Sequence, residues 1–302
     1  MDRTLVIGST VVDVFLHIPA LPRRGEDVNV TASEYRIGGC AYNVYKTLEL
    51  FKSPAILCSP VGFGILGRMV REALHKEGLH PIASLEKENG CCYCLIDADG
   101  ERTFLSHHGA EYLFSRSWMN NIDYSQIDSV FICGIDVEES TGGEIVEFVL
   151  EHPELKLYFS PGPRIMYISP DKIERLLGCR DKDGKGPFLH LSENEVLDYT
   201  RKDNVEAGAL FLAGKTGNSV VVTLGKRGCY CLEKAGMAGN FIPGVPADVV
   251  DTVGAGDVHF GSLIACLKEG MDLEKACIRA NRTSAAVVGI KGAVLNKLPE
   301  FS

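Results

Sequence analysis

Residues Asp251–Asp257 read DTVGAGD, between the strand-like ADVV (247–250) and the helical VHFGSLIACLKEG (258–270). Gly254, Ala255 and Gly256 are small, so backbone N–H groups there can approach a ligand closely. They open a helix, where unpaired N–H groups and the helix dipole favour a phosphate. Asp257 falls in the first turn, beside that anion site, where a carboxylate can take a proton from a hydroxyl. An anion hole with a base next to it is what phosphoryl transfer needs. A bland glycine turn followed by an acid that complements the dipole has the same appearance, so the rest of the chain has to decide.

Two other turns compete for a nucleotide. Val61–Arg68, VGFGILGR, contains G-x-G-x-x-G between the strand-like AILCSP and the amphipathic RMVREALHKEG, the context that a dinucleotide fingerprint requires. A dehydrogenase would follow from it, yet this strand is the third or fourth of the chain, not the first. Gly208–Thr216, GALFLAGKT, imitates a phosphate-cradling loop but has five strongly apolar residues between its glycines. Such a loop needs four there, so the stretch predicts buried helix.

The chain has 302 residues, of which 45% are hydrophobic, enough for a substantial core. No apolar run approaches the roughly 18 residues of a membrane span. MDRTLVIGST lacks a long apolar stretch with a cleavage site, which predicts no secretory signal. The net charge of −9 argues against broad binding to nucleic acid or anionic membrane. The 11 cysteines are odd in number and irregularly spaced, which predicts reduced thiols and a cytoplasmic setting. Cys91 and Cys94 form a C-x-x-C without a second pair, and the alternation of CYCLI reads as a strand with Cys92 and Cys94 on one face.

From SVFICG onward, buried strands alternate with amphipathic helices: GGEIVEFVLEH, LKLYFS, DKIERLLG, PFLHLS, ENEVLDYT, NVEAGALFLAG and SVVVTLG, then two closing helices. This rhythm predicts an α/β fold, a parallel sheet with helices on both faces, in one domain spanning 1–302. Two segments break it. DVNVTASEYRI alternates like a half-exposed strand pair, and LIDADGERTFLSHH carries Asp99-Gly100 between alternating runs, a hairpin signal. Both are assigned to a small β lid within about 14–38 and 90–110.

DTVGAGD closely resembles the D-T-x-G-A-G-D signature of the ribokinase-like (PfkB) family of sugar and nucleoside kinases. Other pieces follow in that family's order. Gly38-Gly39-Cys-Ala-Tyr-Asn43 resembles its G-G-x-x-x-N, and PALPRRGEDV its P-x-x-G-E/D loop before the lid. VTLGKRG (222–228) resembles its strand-to-turn segment near the nucleotide, and KGAV (291–294) its C-terminal G-A turn. The family's V-G-x-D-x-x-G also accounts for VGFGILG, with Gly64 where an Asp is common. The resemblance implies a three-layer sandwich with a central, mostly parallel sheet and a β lid. It implies ATP-dependent phosphorylation of a primary hydroxyl on a sugar or nucleoside. Asp257 would be the general base, with Gly254, Ala255 and Gly256 on the transferring phosphate. Asp13, Gly38, Gly39 and Asn43 would hold the acceptor, and Thr223, Gly225, Gly228 and Asn194 the nucleotide. Glu195 would place Mg²⁺ through water. Asp251, Val253 and Gly292 match the positions that hold K⁺.

The match has gaps. The family's N-x-x-E becomes Ser192-Glu-Asn-Glu195, with Asn194 a shifted stand-in, and Ser192 with Glu195 also spells a helix capping box. Of F-D-x-N-x-R only Arg164 survives in Phe159–Arg164. Asp13 suggests a vicinal diol, and the reading leans to a ribofuranose-containing acceptor. Phe15, Tyr93 and Phe104 could line a base pocket, or simply pack the lid; His107 and His108 read as lid surface. No extra Lys/Arg cluster is legible in the lid, so a phosphorylated sugar is not expected. The alternative function is a catalytically idle sensor on the same fold. An intact Asp257 and glycine set argue against it, and ADP release would eliminate it. An exposed alternating lid strand offers an edge for homodimer pairing.

Overall fold

The first strand, β1 (Arg3–Ile7), is buried after its first residue, as an apolar run flanked by helices should be. The computed structural model that shows this describes residues 2–301. The chain then leaves the main layer: β2 (Val11–His17) and β3 (Ala32–Gly38) pair antiparallel, from Val11 opposite Gly38 to His17 opposite Ala32. It returns through α1 (Cys40–Leu50) and β4 (Ala55–Cys58), then β5 (Val61–Phe63), α2 (Gly64–Lys76) and β6 (Ser84–Glu88). β7 (Cys91–Ile96) and β8 (Arg102–His107) make the second lid pair. The alternating half runs β9 (Ile127–Cys133), α3 (Gly134–Glu138), α4 (Gly142–Glu151), β10 (Lys156–Ser160), α5 (Pro170–Gly178) and β11 (Phe188–Ser192). It continues with α6 (Glu193–Thr200), α7 (Val205–Thr216), β12 (Val220–Thr223), β13 (Gly228–Leu232), β14 (Asn240–Pro243), α8 (Ala255–Lys268) and α9 (Leu273–Val288).

The central sheet has eight strands in the order β14-β13-β12-β11-β10-β9-β1-β4. From β12 to β4 all neighbours are parallel; β13 and β14 are antiparallel additions. Successive residues of β9 serve opposite cores. Val130 and Ile132 face a core with Phe148 of α4, Leu176 of α5 and Leu212 of α7. Phe131 and Cys133 face one with Leu48 of α1, Phe260 of α8 and Ala280 of α9. This is the expected three-layer α/β sandwich. Among the described residues no helix is long and apolar enough to cross a membrane.

The lid is a four-stranded sheet, β3-β2-β7-β8, with β2 and β7 parallel at its centre. The expected hairpin is present: Asp97 Oδ1 accepts from the Asp99 and Glu101 amides, and Gly100 turns at φ +83°. The Cys91–Cys94 run lies in β7, as its alternation predicts.

Two local expectations are corrected. Only the last six residues of DVNVTASEYRI, Ala32–Ile37, fall in a strand, and its partner is β2 rather than the first half of the stretch. ADVV is not a strand; its carbonyls and amides serve a loop, and β14 is the last strand before the signature. VGFGILG, as expected, does not build a dinucleotide turn on the main sheet. β5 pairs only with β6 in a separate two-stranded sheet. The Gly62 amide donates to Asn89 Oδ1 at 2.5 Å, and a Cβ on Gly62 would lie 2.1 Å from Lys87 O and 2.5 Å from Ala110 Cβ. A Cβ on Gly67 would lie 2.2 Å from Gly62 O. Protein packs against these glycines where a cofactor would have to approach. GALFLAGKT lies within α7, as expected.

Gly62→Ala should therefore destabilise the chain by about 1–3 kcal/mol through overpacking. Urea unfolding measures this; an unchanged midpoint would mean open space at Gly62.

Candidate active site

In open parallel sheets ligands gather beyond the carboxyl ends of the strands. Here that edge carries Gly8–Thr10 after β1, Gly134–Asp136 after β9, Ser192–Glu195 around the end of β11 and Thr223–Gly228 after β12. The lid joins the body there too, since β3 ends at Gly38, two residues before α1.

The anion site is the start of α8. Gly254 caps the helix in the left-handed region at φ +71°, and a Cβ on it would lie 2.3 Å from Ala293 Cβ and 2.9 Å from Asn43 Nδ2. A Cβ on Gly256 would meet nothing within 4 Å, so that face is open to a ligand. First-turn N–H groups have no intrahelical acceptor and are free for an anion. Ser284 of α9 fastens the turn by donating to Ala255 O at 3.1 Å.

Asp257 is the acid of that turn. Asn43 Nδ2 donates to its Oδ2 at 2.8 Å, so α1 positions the carboxylate. Burial pushes its pKa up to about 6, with Asn43 and Cys40 as donors opposing and the Glu195 charge adding to the rise. Asp13 on β2 is pushed up to about 7, chiefly by burial, then by the charges of Asp257 and Asp251, against Arg36. A Cβ on Gly38 would lie 2.1 Å from Asp13 Oδ2, and Gly39, at φ +103°, passes so close to Ser9 O that a Cβ would lie at 2.6 Å. Both glycines therefore let the lid root close over Asp13 and the end of β1. The structure thus brings Asp13, Gly38, Gly39, Asn43, Gly254 and Asp257 together.

Sequence reasoning missed Ser9, Thr10 and Asp136. Ser9 Oγ, Thr10 Oγ1, Asn43 Oδ1 and both Asp136 oxygens are buried without a hydrogen-bond partner of good geometry. Buried polar atoms are normally paired, so such a group marks where a polar ligand belongs. Asp136 is 2% exposed, and burial pushes it up to about 8, with Ser9 beside it opposing only in part. The available signal was position: GST follows the first strand, and GID follows the strand SVFIC.

Toward the nucleotide side, Thr223 ends β12 and donates to Leu191 O at 3.3 Å. Gly225 and Gly228 both take positive φ, and a Cβ on Gly228 would lie 2.1 Å from Ile242 O. A cleft of about 580 Å³ lies beside this edge, between Val245–Asp248 and the face of α9 with Arg282 and Ala285. Asn194 is exposed in the first turn of α6. Ser192 and Glu195 do form the capping box: the Ser192 amide donates to Glu195 Oε2 at 3.0 Å, and the Glu195 amide to Ser192 Oγ at 3.4 Å. Burial raises the Glu195 pKa.

Asp251, an expected cation ligand, is engaged with protein donors. Its buried carboxylate accepts from the Val253 amide at 3.1 Å and the Gly292 amide at 2.9 Å. Arg36 and Arg102 of the lid lie 3.3 and 3.5 Å from it. The side chain is thus surrounded by protein donors. Arg164 is likewise occupied, forked onto Glu138 and stacked over Tyr167. In the lid, Phe15 and Phe104 share the Asp13 face through Cys94, whereas Tyr93 opposes Val14 on the other face. His107 is exposed as expected; His108 instead pairs with Glu139 and stacks on Tyr112.

Comparison with known proteins matches this architecture. Residues 1–150 and 187–300 fit the model of the pfkB family carbohydrate kinases. The Escherichia coli (strain K12) protein described as uncharacterized sugar kinase YegV is 31% identical over 296 residues, covering 96% of this chain and 90% of that one. The ribokinase of Cryptococcus neoformans var. grubii serotype A, solved with ADP, superposes with a TM-score of 0.78 at 22% identity over 97% of this chain and 96% of that one. The Burkholderia thailandensis nucleoside kinase, solved with inosine, gives 0.78 at 18% identity, over 98% and 94%. The sandwich with its lid is the ribokinase fold, and the chain belongs to the pfkB family of carbohydrate kinases.

Proposed function

We propose that this kinase transfers the γ-phosphate of ATP to a primary hydroxyl of a neutral sugar or nucleoside, with Asp257 as general base. The observation that carries the reading is the placement of Asp257: in the first turn of α8, beside the open amides of Gly254–Gly256, held by Asn43 and poised near pH 6. Asp257 takes the hydroxyl proton as the acceptor oxygen bonds to the γ-phosphorus. The bond from phosphorus to the β,γ-bridging oxygen breaks, and ADP leaves with that electron pair. The Gly254–Gly256 amides receive the charge on the transferring group. Thr223, Gly225, Gly228 and the Val245–Asp248 cleft hold the nucleotide. Glu195, a half-buried carboxylate near Asp257, fits a role in placing Mg²⁺ through water, where the metal would neutralise phosphate charge. The carbonyls of Asp251, Val253 and Gly292 are the candidate ligands for K⁺.

The acceptor lies among Asp13, Asn43, Asp136 and Ser9, whose oxygens suit hydroxyl groups. Its neutrality is argued from charge. Arg36, Arg102 and Lys291 meet beside the acceptor face, but Asp251 pairs with both arginines and Glu34 with Arg36 and Lys291. No cation of this group is free for a phosphate. Within the class, a free sugar is favoured over a nucleoside, because the Arg36 guanidinium already covers the Phe15 ring at 4.5 Å. The outer face of the lid carries a row of exposed apolar side chains, Tyr35, Tyr93 and Leu105, joined through Val14, which supports a homodimer through the lid.

A coupled ADP-release assay against pentoses, hexoses and nucleosides tests the reading. Asp257→Asn should lose about 10²–10⁴-fold in kcat; near-full turnover in that variant would sink the base assignment. Asp257 must be ionised to act, so kcat/KM should fall as pH drops through about 6 to about 7. That limb belongs to the interacting Asp13–Asp257 pair rather than to either alone.

Asp136→Asn should raise the acceptor KM by about tenfold or more, the scale of a lost hydrogen bond to a carboxyl group. Folding raises the Asp136 pKa from 3.8 to about 8, so its contribution to stability is present at low pH and lost as pH rises between those values. The same variant should therefore melt higher than wild type at pH 8, and by a smaller margin at pH 5. Unchanged acceptor KM would remove Asp136 from the site.

A further inference from the structure

The geometry points to Arg36 and Arg102 as positioning residues that couple the lid to the anion loop by jointly neutralising buried Asp251. They sit on the two edge strands of the lid, β3 and β8, at opposite corners of its inner face. Arg36 opposes Asp13 directly, and Arg102 lies in register with Ile96 and, through it, His17. Both guanidiniums nevertheless converge on one body carboxylate, with Arg36 Nη1 3.3 Å from Asp251 Oδ2 and Arg102 Nη2 3.5 Å from Oδ1. Arg102 Nη2 also donates to Val250 O at 2.8 Å. A cavity of about 340 Å³ lies between them, walled by Phe15, Val250 and Lys291.

The target matters more than the pairing. Asp251 precedes Gly254 by three residues, and its Oδ1 takes the Val253 amide, the last link before the anion turn. Its Oδ2 takes the Gly292 amide, beside the Ala293 that packs against Gly254. With its side chain 4% exposed, Asp251 has protein donors in place of water. Removing a guanidinium leaves a buried carboxylate short of a partner, which forces a rearrangement rather than a simple loss of contact. The loop that rearranges is the one presenting its amides to the phosphate. Closing the lid therefore sets the anion hole, and the acceptor's cover and the phosphate's cradle move as one unit.

Amide hydrogen exchange on the full chain, without substrate, reads this directly. Arg102→Ala should speed exchange by about tenfold in two separate regions, 97–107 of the lid and 247–257 of the body, the scale expected when one member of a charged network is removed. Faster exchange confined to 97–107 would overturn the coupling. Should Arg102→Ala open the whole sheet, Arg102→Lys decides by the same comparison: it keeps the charge but on a shorter side chain without the planar fork that sets Nη2 between Asp251 and Val250 O, so both regions should loosen together, to a smaller extent. The kinetic arm rests on the kinase reading: kcat should fall about tenfold in Arg102→Ala while the ATP KM stays within about twofold, and Asp251→Asn combined with Arg102→Ala should be no worse than the worse single variant. Additive losses, or a change in KM alone, would overturn the positioning role. If no acceptor supports turnover in wild type, the kinase reading fails while the exchange comparison still judges the coupling.

Discussion

The amides at the start of α8 can face a phosphate only because Gly254 holds φ at +71° against two neighbours, Ala293 and Asn43, that leave no room for a Cβ. That one backbone angle ties together segments distant in the chain. Asn43 reaches from α1 to both Gly254 and Asp257. Ala293 belongs to the C-terminal KGAV turn, and Ser284 of α9 bonds Ala255 O. Asp257, the glycine turn and the helix that backs them are thus set by mutual contact rather than by any single element. This explains why the signature, the G-G-x-x-x-N stretch and the C-terminal turn occur as a set: each fills space that another leaves.

Three of the carboxyl groups at this edge of the sheet are pushed to different values by their environments. Asp257 rises only to about 6, because Asn43 and Cys40 donate to it. Asp136, deeper and poorly partnered, rises to about 8, and Asp13 lies between at about 7. At neutral pH Asp257 is mainly ionised and can accept a proton, while Asp136 is mainly protonated and can donate a hydrogen bond to an acceptor oxygen. Divergent pKa values in one site separate acid from base roles. Each raised pKa is also a destabilisation of the folded state above pH 4, offset by the large apolar cores on both faces of the sheet.

Strand and helix identity was legible because the parallel strands are buried on both faces and read as apolar runs. The helix start at Gly254–Asp257 was legible because glycines and first-turn acids have fixed physical meanings. What escaped the sequence depended on partners. ADVV has the composition of a strand but no neighbour to pair with, while GCYCL and NFIP became β13 and β14 by extending an edge antiparallel, which the alternating rhythm does not announce. Tyr93 looked equivalent to Phe15 until register placed it on the opposite face. Asp136 offered only its position after a buried strand, and the two lid arginines gave no local pattern, since the meaning of Arg36 lies in a contact across 215 residues of chain.

Arginine pairs on a buried acid suit a lid better than an apolar seal would. Val12 and Val14 anchor β2 in the core, so the root of the lid is fixed by hydrophobic burial. The inner face reaches the body through Arg36 near that root and Arg102 at the opposite corner, and the exchange there is charge for water. When the lid lifts, Asp251 and both guanidiniums regain solvent, which offsets most of the Coulomb attraction they lose. The closed geometry is therefore specific in direction but modest in net free energy. An apolar seal of the same area would resist opening in proportion to that area. A lid that must admit an acceptor and release a product in every cycle needs the former: a contact that aligns the anion loop when closed and costs little to break.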